Sequence, residues 1–132
     1  MLQGFRISTE REIAQGYWLG GEAGIAGKRP DVLLRAGGSV WWVEVEKSRK
    51  NAKDYQALLK WLDAMFPRPP ARTPFEASGL RLKCEKVIFI CSLAFEAKLG
   101  RDLQARGWAP EKVKAFLIFD TELYSFEDID FT

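Results

Sequence analysis

The sequence predicts an α/β fold, a mixed sheet flanked by helices, and three observations carry that reading. Four stretches with strand character, Asp31 to Arg35, Val40 to Glu46, Lys86 to Cys91 and Lys112 to Phe119, are interspersed with stretches of helical spacing. Gly37-Gly38 sits between the first two as a hairpin turn signal. The length of 132 residues makes one domain, 1–132, and leaves no room for two.

The elements follow in chain order. Ser8-Thr9-Glu10-Arg11-Glu12 opens a helix, because Ser8 or Thr9 can cap the first free amides and early glutamates suit the positive end of the dipole. Ile13, Ala14, Tyr17 and Trp18 recur on one helical face, and Gly20-Gly21 ends it. A loop through Gly24 and Gly27 then reaches Lys28-Arg29-Pro30. In the return strand of the hairpin, period two puts Trp42, Glu44 and Glu46 on one face. Trp41, Val43 and Val45 take the other, the expected core side. Tyr55, Leu58, Leu59, Leu62, Met65 and Phe66 mark a helix from about Asn51 to Phe66. Residues 67–79 form an extended, proline-rich loop, since four of the six prolines fall between Pro67 and Pro74. Phe95 to Arg106 is a further helix, ended by Gly107, and 120–132 is an acidic tail. The expected order is α-β-β-β-α-β-α-β, with one strand placed either near Phe5 or around Leu80 to Cys84.

Composition narrows the chemistry. Apolar residues make up 47% and charged residues 29%, which fits a globular chain with a buried core. A net charge of +2 does not announce nucleic-acid binding, so any such role depends on where the charges sit. There is no histidine, which removes Ser-His-Asp and Cys-His catalysis and His-based zinc sites together. Cys84 and Cys91 form no metal or redox motif and read as two semi-buried thiols in a reducing compartment. No signal peptide and no apolar run of about 20 residues is visible, so the expectation is a cytoplasmic protein with no membrane contact.

Three acidic stations remain: Glu10 or Glu12 on the first helix, Asp31 at the start of a strand, and Glu44 with Glu46 on the strand hairpinned to it. Two residues along a strand separate Glu44 from Glu46 by about 7 Å, and the hairpin brings Asp31 beside one of them. Converging carboxylates without histidine suit a hard divalent ion, Mg²⁺ or Mn²⁺. Lys47, Arg49, Lys50 and Lys53 crowd the start of the next helix, where the dipole disfavours cations by a few tenths of a kcal/mol each. Nearby glutamates or the phosphates of a nucleic acid would stabilise them there.

Pro30-Asp31, a short hairpin, then Glu44-Val45-Glu46 and a lysine-bearing helix resemble the PD-(D/E)XK nuclease superfamily, whose core is αβββαβ. The resemblance runs from Ser8 to about Cys91. More narrowly, Thr-Glu-Arg-Glu at 9 to 12, Arg-Pro-Asp at 29 to 31 and Val-Glu-Val-Glu-Lys-Ser-Arg-Lys at 43 to 50 are similar to plasmid- and mobile-element-associated members of replication-relaxation or mobilisation type. The resemblance implies that Asp31 and Glu44 ligate the metal and that Glu10 is an auxiliary acid. The superfamily's lysine falls two residues after its acid, where this chain has Glu46; an E-x-E variant occurs among restriction-type members. Lys47 projects from the opposite strand face, and Lys50 is the better placed substitute.

The sequence expectation is therefore hydrolysis of DNA phosphodiesters by metal-activated water. Asp31, Glu44 and Glu46 would hold the ion, Lys50 and Glu10 would assist, and Lys47, Arg49, Lys50 and Lys53 would meet DNA. The alternative is a catalytically inactive module of the same fold that binds DNA or a protein partner, as a homodimer or in a larger assembly.

Overall fold

The computed structural model describes residues 6–15, 18, 24–25, 27–46, 51–67 and 82–122. The elements are β1 (Arg6–Ser8), α1 (Glu10–Ala14), β2 (Val32–Ala36), β3 (Ser39–Val45), α2 (Ala52–Met65), β4 (Lys83–Ile90), α3 (Leu93–Ala105), α4 (Pro110–Phe116) and β5 (Leu117–Asp120). They build an α/β protein around a five-stranded mixed sheet in the order β1-β2-β3-β4-β5. The first three strands run as an antiparallel meander, and β3, β4 and β5 are parallel. Antiparallel neighbours need only a turn, so Ala36 pairs with Ser39 across Gly37-Gly38, with Gly37 at φ +57°. Parallel neighbours need a crossover, supplied by α2 and then by α3 with α4.

Local chemistry sets the helix starts. Thr9 and Glu12 form a capping box at α1, Asn51 caps α2 by accepting the Asp54 amide at 2.8 Å, and Ser92 caps α3 through the Phe95 amide at 3.1 Å. At α4 a proline occupies the first turn and Glu111 follows it.

Burial runs down one face of the sheet. Leu33 on β2, Trp42 on β3, Val87 on β4 and Leu117 on β5 are buried and lie side by side in register, and Val40 of β3 and Phe89 of β4 are buried with them. Against them pack Leu58, Trp61, Leu62 and Met65 of α2 and Leu99 and Leu103 of α3, in one cluster. Trp42 lies against Trp61, with ring centroids 4.8 Å apart, and Trp18 meets Trp42 edge-on at 5.9 Å. Helix α2 is tied to the end of α3 by Asp63, which accepts the Trp108 indole N–H at 2.8 Å and pairs with Arg106.

Several sequence expectations are corrected. The core side of β3 is the Trp42 face, not the face of Trp41, Val43 and Val45; Val43 is buried, but Trp41 and Val45 are half-buried. Helix α1 is short, with Gln15 as its C-cap. Lys112 to Phe119 is not one strand: Pro110 and Glu111 start a helix through Phe116, and only Leu117–Asp120 is extended. The strand left open lies near Phe5, as β1, so it precedes α1, and the stretch from Lys83 joins the following strand as a single β4. Among the described residues the order is βαββαβααβ, against the expected α-β-β-β-α-β-α-β. The 67–79 loop beyond Pro67 and the acidic tail beyond Glu122 lie outside the described residues.

Candidate functional site

The alternation of β3 that aims Trp42 at the helices aims Glu44 and Glu46 the same way. Both glutamates are buried, at 5% and 7% exposure. That is an expensive place for a carboxylate, because an ionised group loses its hydration there unless partners replace it.

Glu44 has such partners. Its Oε1 accepts the Trp42 indole N–H at 2.9 Å and lies 3.0 Å from the Lys28 ammonium. Burial still outweighs the attraction of Lys28 and both hydrogen bonds, and the nearby charge of Asp31 adds to it, so Glu44 is pushed up to about 7.

Lys28 is delivered by a loop with its own anchors. The Ile25 amide donates to the Lys28 carbonyl at 2.8 Å, and the Lys28 amide returns a bond to Ile25 at 3.2 Å. The Trp61 indole N–H of α2 donates to the Ile25 carbonyl at 3.1 Å, and Ile25 is buried. Gly24 sits at φ +75°, and a Cβ there would stand 2.4 Å from the Lys28 carbonyl oxygen. The ammonium itself lies 5.8 Å from the centre of the Trp61 ring.

Asp31 stands one residue before Val32, whose partner is Val43, and its charge reaches Glu44 from there. Its amide donates to the Val43 carbonyl at 3.0 Å, and its Oδ2 accepts the Val45 amide at 2.7 Å. The aspartate thus closes the end of the β2–β3 ladder while bringing its charge beside Glu44.

Glu46 continues the same face toward the ends of the parallel strands. Its amide donates to the Ile90 carbonyl at 2.9 Å, and its charge acts on Cys91. Burial pushes the Cys91 thiol up to about 12, with Glu96, Glu46 and Asp120 adding to the effect; burial does the same to Cys84. Both cysteines are free and buried, which makes them inert core thiols.

The structure therefore brings Asp31 and Glu44 together, with Glu46 next along the strand. Among the described residues no group of three or more His, Cys, Asp or Glu side chains is arranged to hold a metal ion. Glu12 is engaged in the capping box, where its carboxylate accepts the Thr9 amide at 3.2 Å; Glu10 opens α1 as its first residue. Lys53 is exposed in the first turn of α2, followed at once by Asp54. Lys47, Arg49 and Lys50 lie outside the described residues.

Two partners of Glu44, Lys28 and the Trp42 indole, were not among the sequence candidates. A lysine directly after Gly27, just ahead of Pro30-Asp31, was the available signal. A separate cavity of about 380 Å³ lies between α3, α4 and β5, lined among others by Glu96, Gly100, Trp108, Val113 and Phe119, and holds none of the sequence candidates. Among the described residues no helix is long and apolar enough to cross a membrane. Comparison with protein-family models, curated proteins and solved structures gives no match for this chain.

Proposed function

We propose that the protein is a metal-dependent nuclease of PD-(D/E)XK type that hydrolyses DNA phosphodiester bonds. The observation that carries this reading is Glu44: a buried carboxylate that feels the charge of Asp31 at the start of the adjoining strand, with an ammonium at 3.0 Å. A carboxylate retained in a core at such cost, with its proton affinity moved to near neutrality, is a mark of functional sites. The antiparallel meander, with the E-x-E segment at the end of its third strand and a crossover helix after it, supports the reading, although β1 precedes α1.

On this reading the ion is Mg²⁺ or Mn²⁺, held through one or two carboxylates with its other positions left to water and phosphate. Asp31 and Glu44 would hold the ion, with Glu46 next along the same face. When bound, the ion would polarise the phosphoryl oxygen and make a water more acidic. In the reaction the water oxygen bonds to phosphorus and one P–O ester bond breaks. The water's proton passes to the leaving oxygen, giving a phosphomonoester and a hydroxyl. Asp31 serves by fixing the open end of the hairpin, so that Glu44 is held at a set place. Lys47, Arg49, Lys50 and Lys53 would face the DNA backbone, where cations and phosphates attract.

The test is cleavage of plasmid DNA with Mg²⁺ or Mn²⁺, with a parallel calorimetric titration of Mn²⁺ into the protein alone. Wild type should bind Mn²⁺ and cut, and Glu44→Ala should lose both, with cleavage down by about a hundredfold or more. Equal cleavage by both proteins sinks the assignment. The direct Lys28–Glu44 pair favours one second reading, a module that is charge-balanced without a metal and binds DNA or a protein partner; it is the reading left if Mn²⁺ gives no heat.

A further inference from the structure

Three elements close on the cavity between α3, α4 and β5, and each contributes a regular stripe. Glu96, Gly100 and Gln104 recur every fourth residue along α3, Val113 and Lys114 come from one side of α4, and Leu117 and Phe119 alternate on β5. The volume of about 380 Å³ falls in the range of small-ligand sites. Gly100 interrupts the α3 stripe: a Cβ there would meet nothing within 4 Å, so the glycine opens a notch between Glu96 and Gln104. A glycine inside a helix is destabilising relative to alanine, and no packed neighbour requires it here. The polar groups of the cavity are also unspent. Among the described residues Glu96 and Lys114 form no ion pair, with each other or with another group, and the Gln104 side chain makes no hydrogen bond. The Trp108 indole N–H, by contrast, is used on Asp63, which leaves that side chain as an apolar wall beside Phe119. Glu96 is half-buried and Lys114 exposed, so the cavity sets an acceptor inside and a cation at its rim.

We infer that this cavity binds a guanine nucleotide, with the base between the apolar walls, the base edge on Glu96 and the phosphate at Lys114. A carboxylate offers only acceptors, and its two oxygens match two adjacent N–H donors. Guanine presents such a pair, a ring N–H beside its amino group. Adenine and cytosine instead set a ring-nitrogen acceptor next to the amino group, where it would meet the carboxylate unfavourably. Aromatic and aliphatic walls suit the face of any base, so the walls supply affinity and Glu96 supplies choice. A simple amine would satisfy Glu96 and leave Lys114 unused; a nucleotide engages both, because its donors and its negative charge lie at opposite ends. The inference is independent of Glu44 and of any metal there, since neither Glu44 nor Asp31 lines this cavity.

Calorimetry on the full chain without divalent ions tests it, with GMP, AMP, IMP and guanosine as the probes. GMP should bind about tenfold more tightly than AMP. IMP, which lacks the amino group, and guanosine, which lacks the phosphate, should each bind about tenfold more weakly than GMP. Glu96→Gln should remove the preference for GMP over AMP, and Lys114→Met should bring GMP down to the level of guanosine. Gly100→Leu sends its side chain into open space, so it should keep the urea midpoint of wild type and abolish binding. No heat from GMP at millimolar concentration, equal affinity for GMP and AMP, or a GMP preference that survives Glu96→Gln overturns the inference. A single strand that begins with a 5′-phosphorylated guanine separates the two sources of this ligand. Binding as tight as that of GMP assigns the site to strand ends, and binding of GMP alone assigns it to the free nucleotide. Loss of Mn²⁺ binding at Glu44 has no bearing on these titrations, so either reading can fail while the other stands.

Discussion

Single residues decide the electrostatics here, and Glu44 most of all. In the unfolded chain its carboxyl titrates near the ordinary 4.5, and in the fold near 7. Between those values the folded state binds more protons than the unfolded one. The contribution of Glu44 to stability is therefore fullest below pH 4.5 and is lost as pH rises through 7, by about 3 kcal/mol at the most. Glu44→Gln keeps an acceptor for the Trp42 indole and cannot ionise. Chemical denaturation at pH 4.5 and pH 8 should show the variant gaining on wild type over that interval by up to this amount. A constant offset at both pH values would mean that Glu44 titrates as it does in water. Glu12 teaches the opposite lesson at the same scale: an acid on the first helix that looks like a ligand candidate is spent on holding the helix start.

At the scale of elements, two glycines separate backbone need from tolerance. Gly100 lies in the middle of α3, and a Cβ there would meet nothing within 4 Å. Gly100→Ala should raise stability by about 0.5–1 kcal/mol in urea denaturation, by removing a helix-interior glycine. Gly24→Ala should do the reverse, because its positive φ and the Lys28 carbonyl both resist a side chain. If the two variants behave alike, the loop before β2 is not fixed in the way described. Helix α2 and the β2–β3 hairpin were legible in the sequence because their signals are local: an asparagine cap with a helical apolar stripe, and a Gly-Gly turn between strands. The stretch Lys112 to Phe119 misled because Lys112-Val113-Lys114 alternates like a strand, while Pro110 two residues earlier had already set a helix start.

For the whole molecule, what the sequence could not reveal is which side of the sheet the helices cover. Alternation along β3 defines two faces, but both carry large apolar groups, and the choice depends on crossovers made elsewhere in the chain. Two successive crossovers, β3 to β4 and β4 to β5, step in the same direction along the sheet, and with the usual hand they stack on one face. That places α2 and α3 over Trp42 and so buries the two glutamates beyond it. The acid pair was legible as a pattern; its burial and its lysine were not, because both come from contacts distant in sequence.

The hairpin separates this chemistry from its own tip. Asp31 and Glu44 sit at the open end, while Gly37-Gly38 lies five strand residues away, about 17 Å along β2. The bend is thus a grafting point: a short epitope or fluorophore spliced between Gly37 and Gly38 should leave Mn²⁺ titration curves unaltered. If the proposed nuclease reading holds, a label mounted there would act as a ruler for how far a bound duplex extends from the carboxylates.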